Sequence, residues 1–159
     1  MNRFTIPRDI YYGDGALDIL KTLKGKKAAL VIGGGSVKTS GNLAQIEGLL
    51  AEAGIETRVI EGIVSEPTVA MVMEGAKTLN EFQPDWVIGI GGGSPMDAAK
   101  AMWVFYEHPQ LTFEEASRPF TLPKLRTKAR FIGIPTTSGS ASEISNLSVV
   151  TDEKTGIKY

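Results

Sequence analysis

An apolar strand that runs into three glycines and then straight into a helix restricts the fold of this chain more than any other feature. It occurs in Asp85-Trp-Val-Ile-Gly-Ile-Gly-Gly-Gly-Ser-Pro-Met-Asp-Ala-Ala-Lys100. Trp86, Val87, Ile88 and Ile90 form the short apolar run of a strand buried on both faces, as a parallel sheet requires. Gly91, Gly92 and Gly93 remove every Cβ from the turn, which admits positive φ angles and the close approach of an anion. Ser94 suits the N-cap and Pro95 the first helical position, where its missing N–H costs nothing. The helix then begins with free N–H groups at the positive end of its dipole, so a phosphate or pyrophosphate is the expected occupant.

The design occurs twice. Lys26-Lys-Ala-Ala-Leu-Val-Ile-Gly-Gly-Gly-Ser-Val-Lys38 carries an apolar strand over 28–32 into Gly33, Gly34, Gly35 and Ser36. Two such turns suggest one extended ligand. Neither has the GxGxxG spacing of the common dinucleotide fingerprint or the GxxxxGK[ST] of a P-loop, so the inference rests on the physics of the turn rather than on a motif. Many NAD-binding domains place a carboxylate at a strand end to accept hydrogen bonds from the adenosine ribose. Here the strand end is small and neutral and is followed by Lys38. That favours a 2′-phosphate, hence NADP(H) over NAD(H).

Strand and helix patterns alternate along the 159 residues. An extended segment over 4–12 closes at Gly13-Asp-Gly15, and a short helix follows over 16–23. Leu43, Ile46, Leu49 and Leu50 recur at helical spacing with Gly54 as the stop, and 57–60 reads as a strand. Val69, Val72, Met73, Ala76 and Leu79 make the apolar stripe of a helix that starts at Pro67-Thr68, and the helix after Ser94 runs to about Tyr106. This order predicts a single α/β domain spanning 1–159, with a parallel sheet, right-handed crossovers and helices on both faces.

The stretch 107–128 is polar and proline-bearing and predicts a loop with a short helix over 113–116. Glu114 and Glu115 read there as a solvated face, and His108, the single histidine, as a surface loop residue. A strand over 130–134 then enters the hydroxyl-rich loop Pro135-Thr-Thr-Ser-Gly-Ser-Ala-Ser-Glu143, at the end of a parallel strand where such folds place ligands. Residues 147–151 and 157–159 predict a hairpin turned by Gly156.

With 17 basic against 18 acidic residues, nothing points to nucleic acid or a membrane surface as a partner. No cysteine is present, which removes disulfides, Cys-ligated zinc and thiol catalysis. The absence of a signal-peptide core or a long apolar run gives a cytoplasmic expectation.

Taken together, Pro7-Arg-Asp-Ile-Tyr-Tyr-Gly13, the Gly33-Gly-Gly-Ser36 loop, Glu66-Pro-Thr68, Gly91-Gly-Gly-Ser-Pro-Met-Asp-Ala-Ala-Lys100 and Pro135-Thr-Thr-Ser-Gly-Ser-Ala-Ser-Glu143 resemble the iron-containing (group III) alcohol dehydrogenases, especially their butanol dehydrogenase-like members. The resemblance implies a Rossmann-like, dehydroquinate synthase-like N-terminal domain that binds a nicotinamide dinucleotide. It implies pyrophosphate and ribose contacts at Gly92, Gly93, Ser94 and Asp97, and an adenine-side and phosphate-side loop at Thr136, Thr137 and Ser140. Val149 and Lys158 match hairpin positions near the nicotinamide half. Gly34, Gly35 and Ser36 stand where an aspartate in the family often marks NAD use, in agreement with the preference for NADP(H). Ser140 and Ser142 depart from the commoner residues of their loop, with the hydroxyl kept at Ser140.

The family's metal, Fe or Zn, is held by an aspartate and three histidines of a helical domain that would follow Tyr159. The expectation is therefore a cofactor-binding half of an enzyme acting on small alcohols and aldehydes, without catalytic or metal-binding residues of its own, inactive alone and prone to self-association through uncovered surface. Two alternatives stand beside it: a fragment of a glycerol dehydrogenase or dehydroquinate synthase-like enzyme, and a free-standing nucleotide-binding or assembly module without catalysis.

Overall fold

The computed structural model describes residues 8–63 and 66–159. Part of the segment expected to be extended over 4–12 lies outside the described residues; 8–12 form no strand. Four strands, β1 (Lys27–Ile32), β2 (Glu56–Ile60), β3 (Trp86–Gly91) and β4 (Arg130–Pro135), make one parallel sheet in the order β2-β1-β3-β4. The crossovers are α2 (Asn42–Glu52), α3 (Val69–Phe82) and α4 (Gly93–Glu107).

Strand periodicity sorts the core. Ala28, Leu30 and Ile32 of β1, with Trp86, Ile88 and Ile90 of β3, face α2 and the 3₁₀ helix Ala16–Thr22. Ala29, Val31 and Val87 face α3 and α4 on the other side. Helices thus cover both faces, and β1 and β3 are buried almost throughout. Helix α4 packs directly over Gly89 and Gly133, which are paired in register on β3 and β4 and carry no side chains. A Cβ at Gly89 would stand 3.1 Å from that of Ala99, and one at Gly133 would stand 2.9 Å from the Met96 sulfur.

Helix α4 ends on a buried carboxylate. Glu107, 4% exposed, accepts from the backbone N–H of Thr127 (2.9 Å), Lys128 (3.0 Å) and Ala129 (2.9 Å), from the Thr127 hydroxyl and from the Trp103 indole (3.3 Å). It ties down residues 127–129 just before β4 begins, so the loop is anchored although its sequence is irregular. Burial alone would raise its pKa, but the bonds from Ala129, Thr127 and Lys128 outweigh burial and hold it at about 2 against an ordinary 4.5. A depressed folded-state pKa contributes stability that is complete above pH 4.5 and is lost as pH falls towards 2, here on the order of 3 kcal/mol. Glu107→Gln is expected to lower stability at pH 7 by about 2–4 kcal/mol and to flatten that acid limb. Urea denaturation of both proteins between pH 2 and 7 checks this, and parallel limbs would refute the role.

Several elements differ from the sequence reading for local reasons. Helix α4 starts at Gly93 with Gly92 as an extended N-cap that has no side-chain bond, so Ser94 and Pro95 lie inside the first turn rather than at the cap and first position. Residues 36–39 form a one-turn helix, α1 (Ser36–Thr39), too short to show periodicity. The hairpin is formed by β5 (Thr151–Asp152) and β6 (Ile157–Lys158), continued by Val150 and Tyr159, which exchange backbone hydrogen bonds at 3.0 and 2.9 Å, while the Val149 N–H donates to Asp97 and the Leu147 carbonyl accepts from Lys100. Gly156 turns it at φ 69°. In α5 (Phe113–Ala116), Glu115 closes a capping box with Thr112 instead of only facing solvent. His108 is the half-buried C-cap of α4, and its Nε2 lies 3.0 Å from the Lys124 carbonyl oxygen.

Candidate functional site: a crevice at the switch point of the sheet

Chain direction explains where the crevice opens. From β1 the chain crosses to α2 on one face, and from the adjacent β3 it crosses to α4 on the other, so the two loops part at the carboxyl ends of neighbouring strands. Ile32 and Ile90 are in register, which brings the two glycine turns out side by side. From the far side, β4 adds Thr136, whose N–H donates to the Gly91 carbonyl at 2.9 Å, and Thr137. The crevice measures about 200 Å³; its walls include Gly34 and Ser36 of the first loop, Gly92, Gly93 and Ser94 of the second, and Thr136 and Thr137.

The glycines serve different ends. Of the two triplets only Gly91 has a positive φ, 141°, and a Cβ there would come within 2.5 Å of the Pro95 ring. The positive φ that these glycines admit is therefore used at Gly91, and the others leave room instead. Gly92 has an ordinary φ of −86°, but its Cβ would lie 3.1 Å from the Thr137 hydroxyl, in the crevice itself. Gly35 has φ −66° and nothing within 4 Å of a built Cβ. Its smallness answers to no neighbour among the described residues.

The crevice is bounded by the uncapped start of α4, whose Gly93 and Ser94 N–H groups precede the first helical bond, Met96 N–H to the Gly92 carbonyl at 3.4 Å. A dipole of 15 residues points there. Ser140 lies beside it, its Cβ 3.6 Å from the place a Gly93 Cβ would take. Backbone donors, hydroxyls and the absence of Cβ atoms make a cradle suited to a pyrophosphate.

The other expected contacts lie around the cradle and are held by the protein itself. Asp97 accepts from the Ser142 hydroxyl at 2.5 Å and the Val149 N–H at 3.0 Å and pairs with Lys100 at 3.0 Å. Its carboxylate fastens the hydroxyl loop to α4. Lys100 was not among the sequence-derived site residues, yet its ammonium donates to the carbonyls of Ser142 (3.1 Å), Ser145 (3.5 Å) and Leu147. The spacing of Asp97 and Lys100 on one helix face was the available signal. Lys158 pairs with Glu66 at 2.5 Å, and Thr151 of the same hairpin bridges to Thr68. The Lys158 ammonium, with the Thr151 hydroxyl, holds the Glu66 carboxyl below its usual range. Val149 exposes its side chain at the rim of the loop. Glu143 has one buried carboxylate oxygen without a hydrogen-bond partner among the described residues.

Among the described residues no group of three or more histidine, cysteine, aspartate or glutamate side chains is placed to hold a metal ion, and no helix is long and apolar enough to cross a membrane.

Known proteins share both the sequence and this arrangement. The profile of the iron-containing alcohol dehydrogenases matches residues 7–159. The NADPH-dependent butanol dehydrogenase of Clostridium saccharobutylicum is 58% identical over 159 residues, which are 100% of this chain and 41% of that protein. The iron-containing alcohol dehydrogenase of Thermococcus thioreducens superposes with a TM-score of 0.88 at 36% identity, over 99% of this chain and 42% of the other. The NADH-dependent butanol dehydrogenase A of Thermotoga maritima superposes at 0.80 with 25% identity, over 100% of this chain and 40% of the other. The chain thus spans about two fifths of the length of these relatives, and its parallel sheet with flanking helices shares their Rossmann-like α/β fold. On the extent of the profile match and the identity over its whole length, this chain belongs to the iron-containing alcohol dehydrogenase family.

Proposed function

We propose that the chain is the dinucleotide-binding part of a cytoplasmic enzyme that transfers hydride between NADP(H) and small primary alcohols or aldehydes. The observation that carries this reading is the meeting of both glycine turns and the Thr136-Thr137 loop in one crevice at the switch point. The Gly93 and Ser94 N–H groups bind the pyrophosphate at the start of α4, with the hydroxyls of Thr136, Thr137 and Ser140 facing it from β4. Gly34, Gly35 and Ser36 meet the adenosine ribose one strand over. Asp97 holds the loop that carries Ser142 and Val149 towards the nicotinamide half, and Lys158 stands on the hairpin beyond it.

A metal in such an enzyme polarises the substrate oxygen and lowers the alcohol's pKa. The described residues offer no ligand set for it, so no step of the chemistry is assigned to this chain. Its part is to bind and orient the dinucleotide. The half-exposed edge strand β4 and the exposed Leu147 (71%) and Ile157 (52%) are the surfaces expected to drive self-association; sedimentation showing only monomer at high concentration would contradict this.

Dinucleotide preference tests the reading at the first loop. NADPH is expected to bind more tightly than NADH in low salt. The open space about Gly35 accommodates a side chain, so Gly35→Asp is expected to fold normally and to weaken NADPH at least about tenfold by like-charge repulsion, with little effect on NADH. Equal affinities in the parent chain, or tighter NADH, would overturn the preference.

A further inference from the structure

Resting on that reading, the geometry points to Glu61 as a residue that sets dinucleotide selectivity by holding Lys38. β1 and β2 end level, with Val31 opposite Ile60, so Glu61 follows its strand beside the first glycine loop. Lys38, on α1, reaches across and its ammonium pairs with the Glu61 carboxylate. Neither residue lines the crevice, but near neighbours of both do: Val37, just before Lys38, and Ile63, two residues beyond Glu61.

Both side chains are open to water, 46% and 58% exposed. Water screens an exposed pair of this kind and leaves it weak, whereas a charge-assisted bond to a phosphate is the stronger contact. A 2′-phosphate can therefore take Lys38 from Glu61, at the cost of breaking the pair. A 2′-hydroxyl leaves the pair intact. Read from its sequence alone, the first loop holds no carboxylate, but the fold brings one in from the next strand. Selectivity for NADP(H) is then the balance of Lys38 against Glu61, and Glu61 acts through Lys38 rather than by touching the dinucleotide.

Calorimetric titration of the chain with NADP⁺ and with NAD⁺ tests this in Lys38→Ala, Glu61→Gln and the double variant, with thermal melts confirming that each is folded. Lys38→Ala is expected to weaken NADP⁺ about tenfold and leave NAD⁺ within twofold, because it removes one charge-assisted phosphate bond. Glu61→Gln, which frees Lys38, is expected to tighten NADP⁺ about threefold. In the double variant that gain should vanish, giving the NADP⁺ affinity of Lys38→Ala. A gain that survives without Lys38 would overturn the proposal by showing direct repulsion from Glu61, and so would an unchanged NADP⁺/NAD⁺ ratio in either single variant. Those failures leave dinucleotide binding intact. If the parent chain bound neither dinucleotide, the functional reading itself would fall, and this proposal with it.

Discussion

Replacing Gly92 with valine is expected to weaken dinucleotide binding by about a hundredfold or more without unfolding the chain. The backbone at Gly92, φ −86° and ψ −158°, is extended, and a β-branched residue adopts it readily. Any loss is therefore due to the new side chain. Its Cβ would point at the Thr137 hydroxyl 3.1 Å away, and its methyl groups would fill the gap between the β3 turn and the β4 loop. A pyrophosphate kept out of that gap loses the Gly93 and Ser94 N–H groups together, and two bonds to a charged group at about 1.5–3 kcal/mol each account for the magnitude. Gly91 makes the contrast: its positive φ and the Pro95 ring at 2.5 Å tie it to the fold, so alanine there should cost stability first. Calorimetry with NADPH separates the cases. Unchanged affinity in Gly92→Val would remove the β3 turn from the site.

The 159-residue chain is expected to show no NADPH oxidation with butyraldehyde, whatever divalent iron or zinc is added, whereas a protein carrying the full length of its butanol dehydrogenase relative should turn over. Among the described residues, the acid and base groups that could be recruited for such chemistry are held by the protein or lie away from the crevice. Asp97 is bound by Ser142, Val149 and Lys100, Lys158 by Glu66, and the ring of His108 faces the Lys124 carbonyl at the far end of α4. Freeing Asp97 for a metal would release the loop it fastens. Without a Lewis acid the alcohol keeps a hydroxyl pKa far above neutrality, and the expected loss is at least about a thousandfold relative to the extended protein. A rate above the buffer control from the short chain would show that its own residues carry the catalysis.

The strands were legible because each is a short apolar run with punctuation: β1 and β3 end in glycine, and β4 ends in proline followed by hydroxyls. From those, both the parallel sheet and the cradle residues could be read. What stayed hidden depended on contacts distant in sequence. Helix α4 starts at Gly93, directly after the positive-φ Gly91 and the extended Gly92, and so before the Ser-Pro signal. Lys100 meets carbonyls 42 to 47 residues away, and Glu107 meets N–H groups 20 to 22 residues away; no local pattern encodes either. Asp97 is legible as an important carboxylate, but only the fold shows that its oxygens face the protein's own loop. The neighbourhood of Glu61 and Lys38 follows from strand order, which the sequence leaves open.

The central claim, that one dinucleotide lies across both glycine turns, is tested most directly by following backbone amide resonances of the isotopically labelled chain during titration with NADPH. The account predicts saturable shifts at Gly34, Gly35 and Ser36, at Gly92, Gly93 and Ser94, and at Thr136, Thr137 and Ser140, all with one dissociation constant. Shifts confined to one of the two turns, or clustered elsewhere on the sheet, would contradict it.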